Sequence, residues 1–322
     1  MKIPKGTKRI KPHEYESTRA KIIEIPDGVE EIGEYAFAFS HTLEKVIIPK
    51  TVKKIEKKAF YKCSKLSDIN IPEGIERIEQ STFQTCDSLK SISIPNSVSV
   101  IGDDAFRGCS SLDSILIPDS VVYIGDTAFS GCVNLKTITL PANLKEIRTR
   151  AFASTSLTTV KIPEKTTYIG NGAFSFCESL ESVTIPSRTT RICKDAFRDC
   201  YALKTLSIQD GEEPMVIEAG AFSNCTALEN ICWTNRIAHR GEYAFSSCDN
   251  LSKVMIPDSI TQIEKGTFGN CRLLQNVYIP ESVKHIVKSA FTDCDSLKQV
   301  SISKEIIVDE AAFDVDTEIT LF

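Results

Sequence analysis

Four histidines, one tryptophan and three methionines in 322 residues leave this chain poor in the side chains that most often carry chemistry. Acid–base or nucleophilic catalysis usually draws on a histidine, or on two carboxylates converging in a pocket. The histidines are scattered. His13 lies near the start, His41 in a turn, and His239 and His285 each just before a repeated isoleucine position, two repeats apart. That spacing puts the last two about 10 Å from each other on an exposed edge. No G-x-S-x-G and no G-x-x-x-x-G-K-[ST] occurs, and Gly170-Asn171-Gly172 is part of the repeat described below. The chain is not expected to be an enzyme, and no cofactor is implied.

Long hydrophobic runs are also missing. Clusters such as Val46-Ile47-Ile48 stop at Pro49, far short of the roughly 18 apolar residues a membrane-spanning helix needs. No membrane insertion is expected. The opening MKIPKGTKRIKPHEYE has no apolar stretch of the kind a secretory leader carries. Apolar material is nevertheless ample: 42% of residues are hydrophobic and sixteen are Phe, which argues for a folded core rather than disorder. The formal charge of -5 is uneven, because residues 1–66 carry fifteen Lys and Arg against nine Asp and Glu. The basic stretch Lys50, Lys53, Lys54, Lys57, Lys58, Lys62, Lys65 reads as a solvated face rather than a base-stacking surface, and no nucleic-acid partner is expected.

What the chain has is a repeat. Phe recurs at 37, 60, 83, 106, 129, 152, 174, 197, 222, 245, 268, 291 and 313, and nine of the twelve gaps are 23 residues. One copy runs Leu89-Lys-Ser-Ile-Ser-Ile-Pro95, then Val98, Ile101, Gly102, Ala105, Phe106 and Cys109. In LKSISIP, LDSILIP, LKTITLP and LESVTIP the apolar residues alternate at period two, as a half-buried strand requires, and proline ends the pairing. The VxxIG segment predicts a second short extended piece. The AFxxC segment, without alternation, predicts a tight turn or a single helical turn. Each coil buries about six apolar side chains, too few to stand alone, so the coils must stack and pair their strands in parallel. Thirteen coils at about 4.8 Å would run roughly 60 Å. Residues 1–19 fit an N-terminal cap, 20–308 the solenoid and 309–322 a C-terminal cap.

Ten of the twelve cysteines sit three residues after the repeat Phe, with Ser40, Thr155 and Asp316 in their place in three copies. Zinc needs sulfurs paired at short spacing, whereas the closest pairs here, Cys193/Cys200 and Cys225/Cys232, are seven apart. Stacked side chains point in parallel rather than toward each other, so the column reads as buried free thiols filling space, and no metal is expected. Two glycosylation sequons, Asn224-Cys225-Thr226 and Asn250-Leu251-Ser252, overlap core columns.

A repeat of the form L-x-x-V-x-I-P-x-x-V-x-x-I-G-x-x-A-F-x-x-C, matched a dozen times in register from about residue 20 onward, resembles the BspA-like class of leucine-rich repeats. The resemblance implies a right-handed, curved leucine-rich-repeat solenoid with a parallel β-sheet on one face and short extended segments and helical turns on the other. It also implies an adhesin or interaction module of bacterial or protist surfaces, acting as a non-enzymatic scaffold toward a protein partner. An opening without a leader and many free thiols point instead to a cytoplasmic chain, so the compartment is left open between the two. A monomer is expected.

Two regions stand out as places for a partner. The outward strand positions of the middle copies are hydroxyls, Ser91/Ser93, Thr137/Thr139, Ser182/Thr184 and Thr205/Ser207, a lattice that would suit a glycan. In the copies from 228 to 302, Cys232, Met255 and Tyr278 share one outward column, predicting an exposed apolar stripe with Asn230, Lys253 and Asn276 as a polar rim. The neighbouring stretch 209–243 departs most from the repeat: Gln209 replaces proline, Asp210-Gly211-Glu212-Glu213-Pro214 is inserted, Trp233-Thr234 replaces Ile-Pro, and Arg240 replaces the core isoleucine.

Overall fold

The computed structural model describes residues 2–322 and divides into two compact units, the first ending at Leu157 and the second running Thr158–Phe322. Each unit is a parallel-strand solenoid built from coils of the same design. A coil's first strand is the alternating segment, its second the VxxI segment. In the first unit the first strands Ile22–Glu24, Lys45–Ile47 and Asp68–Ile69 form one parallel sheet, and Ser114–Leu116 and Thr137–Thr139 another. The second strands Arg9–Ile10, Glu31–Ile32 and Lys54–Ile55 pair likewise, as do Arg77–Ile78, Val100–Ile101 and Tyr123–Ile124. Registers such as Val46↔Ile69 and Ile101↔Ile124 place like residues over like, because the partners are one 23-residue period apart.

Burial follows the alternation. In Ser114–Leu116 the central Ile115 is buried and its neighbours exposed, which is what the two faces of a pleated strand require. In several coils a hydroxyl two residues after the proline ties the coil to the one before: Thr51 Oγ1 donates to Val29 O, Ser97 Oγ to Ile75 O and Ser120 Oγ to Val98 O, each at 2.8 Å.

The AFxxC segment is a turn, and none of the described residues is helical. Two left-handed residues four apart flank the Ala-Phe pairs before the last, as in Lys58 and Lys62 (φ 58° and 57°), or Asp104 and Gly108 (φ 56° and 70°). Reversing the hand there stops a helix from propagating and turns alternate backbone N–H groups toward the next coil. Phe37 N donates to Ala59 O at 2.9 Å and Phe60 N to Thr82 O at 3.0 Å. The rings stack in consequence. From Phe37 to Phe152 in the first unit, and from Phe174 to Phe313 in the second, successive centroids lie 5.0–5.8 Å apart with planes within 14°. Twelve of these side chains are fully buried.

The ends extend the pattern. Within residues 1–19, Arg9–Ile10 pairs with Glu31–Ile32 and Tyr15 stacks on Phe37 at 5.7 Å, so a degenerate coil precedes the first phenylalanine. Within 309–322, Glu318–Leu321 pairs with Gln299–Ile302. There Val300 and Ile302 are buried, while their register partners Ile319 and Leu321 are exposed.

Candidate partner-binding groove

In the second unit the first strands Ser182–Ile185, Thr205–Ile208 and Asn230–Cys232 form one sheet, and Lys253–Met255 and Asn276–Tyr278 form a separate one. The sheet parts between Cys232 and Lys253. At this point one coil holds larger residues in two isoleucine columns. Trp233 stands in the column of Ile208 and Ile256, and Arg240 is in register with Ile217. The Arg240 guanidinium lies 4.7 Å from the Trp233 ring and 5.9 Å from the Phe268 ring, and Trp233 meets Phe245 edge-on at 5.1 Å. These groups fill the coil past what two isoleucines would occupy.

Where the strands part a groove of about 670 Å³ opens, lined among others by Asn230, Trp233, Thr234, Lys253, Met255 and Tyr278. Met255 and Tyr278 are register partners, 54% and 56% exposed, and lie side by side. Asp210 and Asp258 stand at its rim. Of the six residues selected from the sequence, the structure brings Asn230, Lys253, Met255 and Tyr278 to this groove. Cys232 and Asn276 are exposed but do not line it. Cys232 pairs with Ser207 rather than Met255, so the expected three-residue stripe is a two-residue strip, divided from Cys232 by the break in the sheet. Asp210, Trp233 and Thr234 come from the irregular stretch 209–243, whereas Asp258 was not singled out in the sequence. The available signal was the double loss of isoleucine within a single coil.

Arg240 is buried, its Nη1 and Nη2 have no hydrogen-bond partner, and desolvation pushes its pKa down to about 9. Arg236, on the same coil, is placed differently. Its Nε donates to Gln209 O at 2.9 Å, Nη1 to Thr189 O at 2.7 Å and Nη2 to Pro186 O at 3.1 Å. It thus fastens the inserted loop to the coil before it. Gln209, where other coils have proline, keeps an N–H and donates it to Ile185 O at 3.0 Å.

The histidines stand apart from this groove. His239 lies 4.0 Å from Glu264, and His285 Nε2 is 2.8 Å from Asp309 Oδ1. In the first unit Lys62 sits over Phe39 and Tyr61, at 5.6 and 5.2 Å, and Lys58 over Tyr35 at 5.0 Å. Aromatic rings are therefore interleaved with the basic stretch, Tyr61 from within it and Tyr35 and Phe39 from the coil before, and carry lysine on their faces.

The family model for the BspA type leucine-rich repeat region matches residues 1–113, 99–215 and 211–320. The chain belongs to the BspA-type leucine-rich repeat proteins. Among solved structures, a leucine-rich repeat protein from Bacteroides ovatus is 29% identical with a TM-score of 0.64, the alignment covering 94% of this chain and 92% of that one. A leucine-rich cell surface protein from Faecalibacterium prausnitzii is 32% identical with a TM-score of 0.56, covering 87% and 86%. No curated protein matches the chain.

Proposed function

We propose that this BspA-type protein is a non-catalytic binding scaffold whose second unit holds a protein segment in the groove beside Met255 and Tyr278. The observation that carries the reading is the pair of exposed apolar side chains on neighbouring strands, set in a groove with polar and charged residues at its edge. An apolar centre that sheds water inside a polar rim is the makeup of a protein interface. Tyr278 is the anchor, since an aromatic ring buries much area at little entropic cost. The scaffold of this family is typically non-enzymatic, and the likeness to a cell surface protein of Faecalibacterium prausnitzii favours a place on the cell surface.

The test uses two variants, Tyr278→Ala and Met255→Lys. Both side chains are more than half exposed, so thermal unfolding should move by no more than about 0.5 kcal/mol in stability. Binding to a purified protein ligand should weaken by at least tenfold in each, about 1.4 kcal/mol. Parent-like affinity in both would show that the strip is plain surface. A glycan array run alongside checks the hydroxyl lattice of Ser182, Thr184 and Thr205, and glycan binding indifferent to both variants would move the site there.

A further inference from the structure

We propose that the groove contains a carboxylate-recognising site in which Arg240 binds the anion and the Trp233 ring covers it. The inference rests on the groove being the binding face, and it adds the chemical class of the group received there. Its starting point is a set of unmet polar atoms. Four buried side-chain nitrogen or oxygen atoms among the described residues have no hydrogen-bond partner, and three of them, Arg240 Nη1, Arg240 Nη2 and Thr234 Oγ1, belong to one coil. Thr234 lines the groove, as does Trp233, whose ring lies 4.7 Å from the guanidinium. No carboxylate among the described residues comes within ion-pair distance of Arg240.

A buried guanidinium without a counter-charge is among the most costly arrangements a core can hold, and stacking on an indole offsets only part of that cost. The neighbouring coils show the alternative, with Ile192, Ile217, Ile263 and Ile286 at the same place, all buried and apolar. Arg236 shows that this coil can satisfy an arginine, having three carbonyl acceptors at 2.7–3.1 Å. Arg240 is left with donors unused, in a fork whose geometry matches a carboxylate, immediately behind a ring that faces the groove. A ligand reaches it when the indole turns aside. Asp210 and Asp258 at the rim admit one carboxylate and disfavour a polyanion. The apolar strip of Met255 and Tyr278 selects a carboxylate carried on an apolar chain, either the free end of an extended polypeptide or a small carboxylic acid.

Trp233 is the only tryptophan in the chain, so its emission reports on this site alone. The protein is titrated at constant ionic strength with sodium acetate, with an acetylated apolar tetrapeptide ending in a free carboxylate, and with the amide of that peptide. We expect saturable changes in emission with acetate and with the free acid, and a response to the amide at least tenfold weaker than to the acid. A peptide acid acting at tenfold lower concentration than acetate supports a polypeptide end as the source, and equal potency supports a small acid. Arg240→Ile should fold, melt several degrees higher than the parent, and lose the response to acid; Arg240→Met should lose the response in the same way. Equal potency of acid and amide, a retained response in either variant, or a lower melting temperature for Arg240→Ile would overturn the proposal. Tyr278→Ala separates the two readings: it should weaken the peptide and leave acetate unchanged. A peptide response untouched by Tyr278→Ala, with Arg240 still required, would remove the apolar groove and leave the carboxylate site standing.

Discussion

In nine coils the repeat cysteine donates its thiol to the carbonyl of the phenylalanine one coil earlier, at 3.1–3.4 Å, as Cys63 does to Phe37 and Cys294 to Phe268. The size preference was legible in the sequence, because Ser40 and Thr155 stand in for cysteine and both are buried. The bond to a neighbouring coil was not legible, because it depends on how far apart coils lie rather than on any residue pattern. Burial pushes these thiols up, to about 12 for Cys63 and Cys132, so they carry almost no thiolate at neutral pH. Cys232 alone is exposed. A native chain should therefore react with a thiol reagent at one site, and mass spectrometry should place the label on Cys232; fast labelling of several thiols would contradict the buried column. The left-handed turn residues allow a second expectation. Thr85 holds φ 59° with a β-branched side chain, a conformation that strains any residue but glycine. Thr85→Gly should stabilise the fold by about 1 kcal/mol, read from denaturant unfolding.

Strands and ladder were readable from the sequence because their spacing is fixed by geometry: a pleat alternates at two, and an interlocked ring must return once per coil. The turns were less readable, because their left-handed positions are filled by residues as unlike as Tyr35, Lys58, Asp104 and Gly131, with no shared chemistry to betray a shared φ. The groove was half readable. Columns of outward residues follow from period, and these located Met255 and Tyr278. What lies behind the groove is set by the inward columns, where Trp233 and Arg240 stand in place of isoleucine. The phenylalanine ladder gives the sharpest check at this scale. Phe129 is fully buried with Phe106 and Phe152 stacked on its two faces, 5.2 and 5.6 Å away. Phe129→Ala should cost about 3–5 kcal/mol, since coils locked by backbone bonds on either side cannot collapse into the space. A loss below about 1 kcal/mol in chemical denaturation would mean that the ladder is ornamental.

Across the whole molecule the thiols act together. Nine column cysteines, Cys63, Cys86, Cys109, Cys132, Cys200, Cys225, Cys248, Cys271 and Cys294, are raised in the folded state by burial. A raised folded value means that their contribution is complete below the ordinary thiol value and is lost as pH climbs above it. Beyond about pH 9 each unfolded thiol ionises while its folded counterpart does not, removing about 1.4 kcal/mol per pH unit. Nine together remove on the order of 10 kcal/mol over one unit, so unfolding followed by circular dichroism should be abrupt between about pH 9 and 11. A chain still as stable at pH 10.5 as at pH 8 would refute the cooperative column. Fastening of the inserted loop has a consequence of another kind. Asp210-Gly211-Glu212-Glu213-Pro214 is acidic, exposed and rich in turn residues, the composition a protease finds most inviting. Cleavage, however, requires a stretch of chain to lift free into an enzyme's cleft, and Arg236 pins the loop's entry at Gln209 while Met215 N bonds to Arg236 O at 2.7 Å at its exit. A glutamate-specific endoprotease should therefore leave the native chain whole at this point, and Arg236→Ala should let it nick the loop at Glu212, releasing two bands that still migrate together until denaturant is added.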